Sequence, residues 1–115
     1  MPVTKSTLSE IDNYDNTETF EETYNREDED TRVVRTSVKL YDTMIFDVSW
    51  RDGLVILNHG GHKTKTAKRR MNEALDAVGI DYKVRQIGGE WLLIDTIDDK
   101  KVQSFNGEER LAFWL

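Results

Sequence analysis

Five cations, Lys63, Lys65, Lys68, Arg69 and Arg70, fall within eight positions directly after a Gly60-Gly61 pair, with Thr64 and Thr66 between them. These residue types gather where an anion is to be held. Lysine and arginine supply charge, and threonine hydroxyls and the amides of a Gly-Gly break can add donors. The stretch also opens a helix, whose first turn already carries partial positive charge from its backbone dipole. Cations placed there cost a few tenths of a kcal/mol each. A phosphate or a set of carboxylates nearby would offset that cost. Gly60, Gly61, Lys63, Thr64, Lys65, Thr66, Lys68, Arg69 and Arg70 are therefore the candidate binding residues, for nucleic acid or for an acidic partner. The competing reading is a solvated face whose charges pair with Glu73, Asp76 or the acidic N-terminal segment.

Other chemistry is poorly supported. His59 and His62 stand in a glycine loop, but two histidines fall short of a ligand set even if Asp47 or Asp52 joined them. Asp47 and Asp52 read as a strand residue and a turn former rather than an acid–base pair. Serines and histidines form no triad signal, and there is neither a phosphate loop nor a dinucleotide fingerprint. With no cysteine there is no disulfide framework and no thiolate metal site. No enzyme activity, metal or cofactor is expected.

The elements that must position the basic stretch follow from periodicity. Val34, Thr36, Val38 and Leu40 alternate with Arg35, Ser37 and Lys39, giving a first strand. After a turn at Asp42-Thr43, residues 44–50 alternate again. Arg51-Asp52-Gly53 is a hairpin signal, and Leu54-Val55-Ile56-Leu57 is a central strand, apolar on both faces. Ala67, Met71, Ala74, Leu75 and Val78 recur at helical spacing, with Thr64 or Thr66 as N-cap and Gly79 as the stop, so the helix spans about residues 65–78. Two further strands, Tyr82–Ile87 and Glu90–Ile94, flank Gly88-Gly89. Val102–Phe105, Asn106-Gly107 and the residues from Glu108 onward read as a small C-terminal hairpin. The expected class is α+β: a mostly antiparallel sheet in the order β-β-β-α-β-β plus the C-terminal hairpin, with one helix packed on it.

Phe46, Trp50 and Trp91 are expected in the core, whereas Tyr41, Tyr82 and Trp114 are open between core and a stacking surface. Arg35, Lys39, Lys83 and Arg85 lie on outward strand faces and would enlarge a basic surface. Leu111–Leu115 is apolar for a terminus: either it docks on the core or it mediates association into a homo-oligomer.

The net charge of −6 conceals an asymmetry. Residues 1–31 hold ten acids against two bases, and the remainder holds 12 acids and 14 bases. Few apolar residues and high like charge make residues 1–31 an expected flexible acidic leader, followed by one domain at 32–115. Phe20 and Tyr24, four apart, would allow a short helix on a partner. The leader could also fold over the basic helix and shield it. No apolar run is long enough for a membrane span, and the first residues lack a signal core. The expected address is the cytoplasm.

The residues Ser37–Ile45, Leu57–Gly61, Thr64-Lys65-Thr66-Ala67-Lys68-Arg69-Arg70-Met71-Asn72, Val84 and Gly89-Glu90-Trp91 together resemble a set of small proteins of tailed bacteriophages. That pattern has a Leu-His/Tyr-x-Thr-x-Ile strand, a Gly-Gly-Trp turn, a Thr-x-Thr-Thr-x-x-Arg-x-Asn helix start and a late Val-x-Gln-x-x-Gly-x-Trp hairpin, and the likeness covers roughly residues 36–95 and the final hairpin. Here His62 stands in place of the tryptophan, Ala67 stands in place of the second threonine, and the acidic leader is outside the likeness. The resemblance implies a phage origin and a small, non-enzymatic role in binding a host or phage macromolecule, such as counter-defence or host takeover.

Overall fold

In the computed structural model, residues 8–24, 32–61, 64–98, 100, 102–105 and 110–115 are described. Helix α1 (Leu8–Asp12) leads into strands β1 (Thr17–Tyr24), β2 (Arg32–Leu40), β3 (Thr43–Ser49) and β4 (Leu54–Asn58). The main helix α2 (Lys65–Ala77) follows, then β5 (Tyr82–Ile87), β6 (Glu90–Asp95), β7 (Val102–Ser104) and β8 (Arg110–Trp114). The class is α+β, with every strand pair antiparallel.

Two sheets form where one was expected: a five-stranded sheet in the order β1-β2-β3-β4-β8 and a three-stranded sheet in the order β5-β6-β7. The expected C-terminal hairpin is absent from that arrangement. Val102–Ser104 pairs with β6, whereas Arg110–Trp114 returns to β4 in the other sheet, with Val55 opposite Phe113 and Leu57 opposite Leu111. The physical reason is burial. Phe105 and Phe113 both enter the core, from different sheets, and a local hairpin could not deliver both there. The Asn106-Gly107 signal lies outside the described residues.

The acidic leader also changes meaning. Its residues Leu8–Asp12 and Thr17–Tyr24 form a helix and a strand of the fold. Ile11 is fully buried in the core and Thr17 is buried at the start of β1. Phe20 and Tyr24 lie on a strand, not a helix, because Thr17–Tyr24 finds a partner in β2 from Thr17 opposite Leu40 to Tyr24 opposite Arg32. Low average hydrophobicity hid one well-placed isoleucine and a pairing partner far along the chain. Residues 1–7 and 25–31 lie outside the described residues.

The core lies between the inner face of the large sheet and a cover made of α1, α2 and the small sheet. Val38, Phe46, Val48, Val55 and Leu57 rise from the large sheet to meet Ala67, Met71, Ala74 and Leu75 of α2 and Val84, Trp91 and Leu93 of the small sheet. Burying a Leu, Phe or Met side chain contributes roughly 1.5–3 kcal/mol, which accounts for a fold with so much charge elsewhere. Phe46 and Trp91 are buried as expected, while Trp50 is only half-buried and donates from Nε1 to Thr36 Oγ1 at 2.9 Å. Tyr82 packs on Phe113 with ring centres 4.8 Å apart, and Tyr41 and Trp114 are exposed.

Candidate functional site

The expected helix forms almost as read. Thr64 is its N-cap, accepting from Ala67 N–H at 3.1 Å, and the chain leaves after Val78 through Gly79 at φ +75°. Its first turn holds no acidic residue and its last turn no basic one. Glu73 and Asp76 lie toward the C-terminal end, so the charges run against the helix dipole along the whole element.

The tertiary structure divides the candidate residues. Gly60 and Gly61 do not offer their amides to a ligand: Gly60 N–H donates to Asn58 Oδ1 at 2.9 Å and Gly61 N–H to His59 Nδ1 at 3.1 Å. Gly60 is needed for space as well, since a Cβ there would fall 2.7 Å from Thr43 Cγ2. Thr64 is occupied as the cap, Thr66 is exposed, and Lys63 lies outside the described residues.

Arg70 is taken into the fold. Its guanidinium lies 3.7 Å from the centre of the Tyr14 ring, and Nη1 pairs with Glu73 Oε1 at 2.8 Å. Only 12% of its side chain is exposed. The leader thus does reach the basic helix, as the shielding idea required, but through Tyr14 and Ile11. The acidic run Glu27–Asp30 is outside the described residues.

Lys65, Lys68 and Arg69 remain. Among the described residues no ion pair involves any of them. They share one side of α2 with Asn72 and Asp76 and line a groove of about 570 Å³ between the helix and β5. Ile80 and Tyr82 give it an apolar floor, Lys83 adds a cation from β5, and Asp76 and Asp81 place carboxylates in the same groove. Residue 68 and residue 76 are separated by roughly 12 Å along a helix, from 1.5 Å of rise per residue. The α2 side of the groove is bipolar, with cations at the start of the helix and Glu73 and Asp76 toward its end.

Asn72 holds the groove together, a role that no spacing or pattern in the sequence marks out. Its Nδ2 donates to Val84 O at 2.9 Å and its Oδ1 accepts from Val84 N–H at 2.7 Å, so one amide side chain fills the place of a strand neighbour along β5. An asparagine at a helix position facing a strand edge is the only local signal, and it is not specific.

Of the basic residues on outward strand faces, Lys83 joins this groove and Arg35 does not. Arg35 belongs to the large sheet and pairs with Asp47 at 3.0 Å and Glu22 at 3.7 Å. Asp47 also accepts from Ser37 Oγ, while Asp52 accepts from Ser49 Oγ, so the two carboxylates serve separate local contacts. His59 is buried between Trp91 and Phe105, with ring centres at 5.2 and 5.8 Å. Among the described residues no three His, Asp or Glu side chains cluster as metal ligands, and no helix is long and apolar enough to cross a membrane.

Fold and face together define a small two-sheet α+β protein whose main helix presents one cationic side to a groove. Comparison with protein families supplies the rest: the Kyanoviridae Gp96 protein model matches residues 3–112. The chain belongs to that family and is a cyanophage protein. The match extends over the acidic N-terminal segment, which the resemblance read from sequence left out. No curated protein and no solved structure matches the chain.

Proposed function

We propose that this protein is a non-enzymatic binding protein that acts in the host cytoplasm by capturing a segment of a host or phage protein in the groove beside α2. The observation that carries this reading is the set Lys65, Lys68 and Arg69, held against the helix dipole without an ion-pair partner among the described residues. Their arrangement weakens the fold slightly, so its benefit lies in something they meet. Protein is favoured over nucleic acid by the acids of the same groove. Asp76 and Asp81 would repel a continuous phosphate backbone, and the net charge of −6 slows approach to any polyanion. A peptide segment with a carboxylate at one end, facing Lys65, Lys68 and Arg69, and a cation toward the other, facing Asp81, matches the lining of the groove. Host takeover or counter-defence are activities such capture would serve.

The test is affinity capture from infected-host lysate with the full chain, comparing wild type with the triple variant Lys65→Glu, Lys68→Glu, Arg69→Glu. A protein retained by wild type and by Arg85→Glu, but lost with the triple variant, supports the reading. Empty capture combined with DNA or RNA binding that falls steeply with salt would replace it with nucleic-acid binding through the same residues.

A further inference from the structure

The two sheets end in four edges among the described strands, and three of them are protected. Along β1, Glu18, Glu21 and Glu22 are exposed and place like charge where another strand would approach. The edge of β5 is occupied at Val84 by the Asn72 side chain. Strand β7 has three residues. Charge, coverage and shortness are the usual ways by which proteins prevent unwanted strand addition. The fourth edge, β8, is the least guarded among the described residues: its sequence Arg-Leu-Ala-Phe-Trp carries one charge, Arg110, and no acid, Trp114 is 67% exposed, and Leu115 beside it is 57% exposed.

The direction of its free hydrogen-bonding groups follows from the pairing with β4. Leu115 N–H donates to Gly53 O at 2.7 Å, in register with Val55 opposite Phe113 and Leu57 opposite Leu111. Alternation in an antiparallel ladder then turns the N–H and C=O groups of Arg110, Ala112 and Trp114 away from β4. The side chains of these same three residues are the exposed ones, while Phe113 is buried and Leu111 half-buried on the inner face.

We propose that β8 pairs antiparallel with β8 of a second copy, about a two-fold axis through Ala112. In that register Ala112 faces Ala112, and Arg110 of each copy faces Trp114 of the other. Every outward N–H meets an outward C=O, and each guanidinium comes to rest on an indole, the most favourable ring for a cation. The strand is thus complementary to its own reversed copy, which is the requirement of an isologous two-fold interface. On the outer face the half-buried Leu54 and Ile56 of β4 lie opposite the exposed Trp114 and Ala112 and carry the apolar surface up to the axis. A strand of five residues with one large aromatic per copy is a small interface compared with the ~1,200–2,000 Å² of stable complexes, so the dimer dissociates on dilution. This inference is independent of the groove beside α2.

Sedimentation equilibrium of the full chain over a concentration series tests it. Wild type is expected to show a monomer–dimer equilibrium. Ala112→Pro removes an outward N–H without touching the β4 ladder, and is expected to weaken the dimer by about tenfold or more with the thermal melt retained. Trp114→Ala and Arg110→Glu should weaken it as well, and the exchange Arg110→Trp with Trp114→Arg should restore it, because the exchanged residues still face each other across the axis. A wild-type monomer at every concentration would overturn the proposal, and so would a dimer indifferent to both Ala112→Pro and Trp114→Ala.

Discussion

The two flanks of α2 carry the same residue types and meet opposite fates. On one flank Arg70 is pinned between Tyr14 and Glu73 and is nearly buried. On the other, Lys65, Lys68 and Arg69 border an open groove with no ion pair among the described residues. Five adjacent cations look like one site in the linear chain. In three dimensions the helix sends Arg70 to one side and Lys65, Lys68 and Arg69 to the other, and the neighbours on each side decide whether a charge is paired within the fold or left open at the groove. Positive charge by itself is therefore a poor marker of a binding site; positive charge that the fold leaves unsatisfied is a better one.

Substitutions can break this division in a graded way. The largest effect is expected at the seam between helix and small sheet. Asn72→Ala orphans both the N–H and the C=O of Val84 and should cost about 3 kcal/mol, measured by chemical denaturation. Arg70→Ala removes the contact with Tyr14 and the pairing with Glu73, for about 2 kcal/mol, and Arg70→Lys should recover only part of this because lysine lacks the planar stacking surface. Thr64→Ala deletes the cap at about 1 kcal/mol. The smallest effect is expected on the open flank. Replacing Lys65, Lys68 and Arg69 by glutamate should leave the melting temperature unchanged or slightly raised, since acids suit a helix start, while partner capture is lost. If the triple variant instead unfolds as readily as Arg70→Ala, the two flanks are equivalent and the groove has no claim to be a site.

The residues that carried the family likeness sharpen the same lesson. Thr64, Arg70 and Asn72 lie close together in the first turns of α2, and all three act as joints: cap, cross-link to the N-terminal segment, and clamp on β5. Gly60 is a close approach to Thr43, and Trp91 is core. The groove cations sit between those joints.

Deleting residues 1–31 to test shielding of the basic helix would also remove β1 and Ile11. The N-terminal segment is part of the sheet, and its deletion is expected to destabilise the protein before it exposes anything. Fold class, the helix and its cap, and six of the strands were legible because each is governed by neighbours within a turn or a pleat. The leader strand and the placement of β8 were not, because strand addition depends on which distant edge is free.

What the amino-acid order determined alone was local: alternation in strands, the apolar stripe of one helix, the threonine that starts it and the glycine that stops it. These are set by backbone sterics and side-chain period over a few residues. Only the tertiary structure decided that Arg70 meets Tyr14, that Asn72 meets Val84, and that β8 joins β4 instead of β7. Each of those contacts joins residues at least a dozen positions apart, and burying the shared core selects them together.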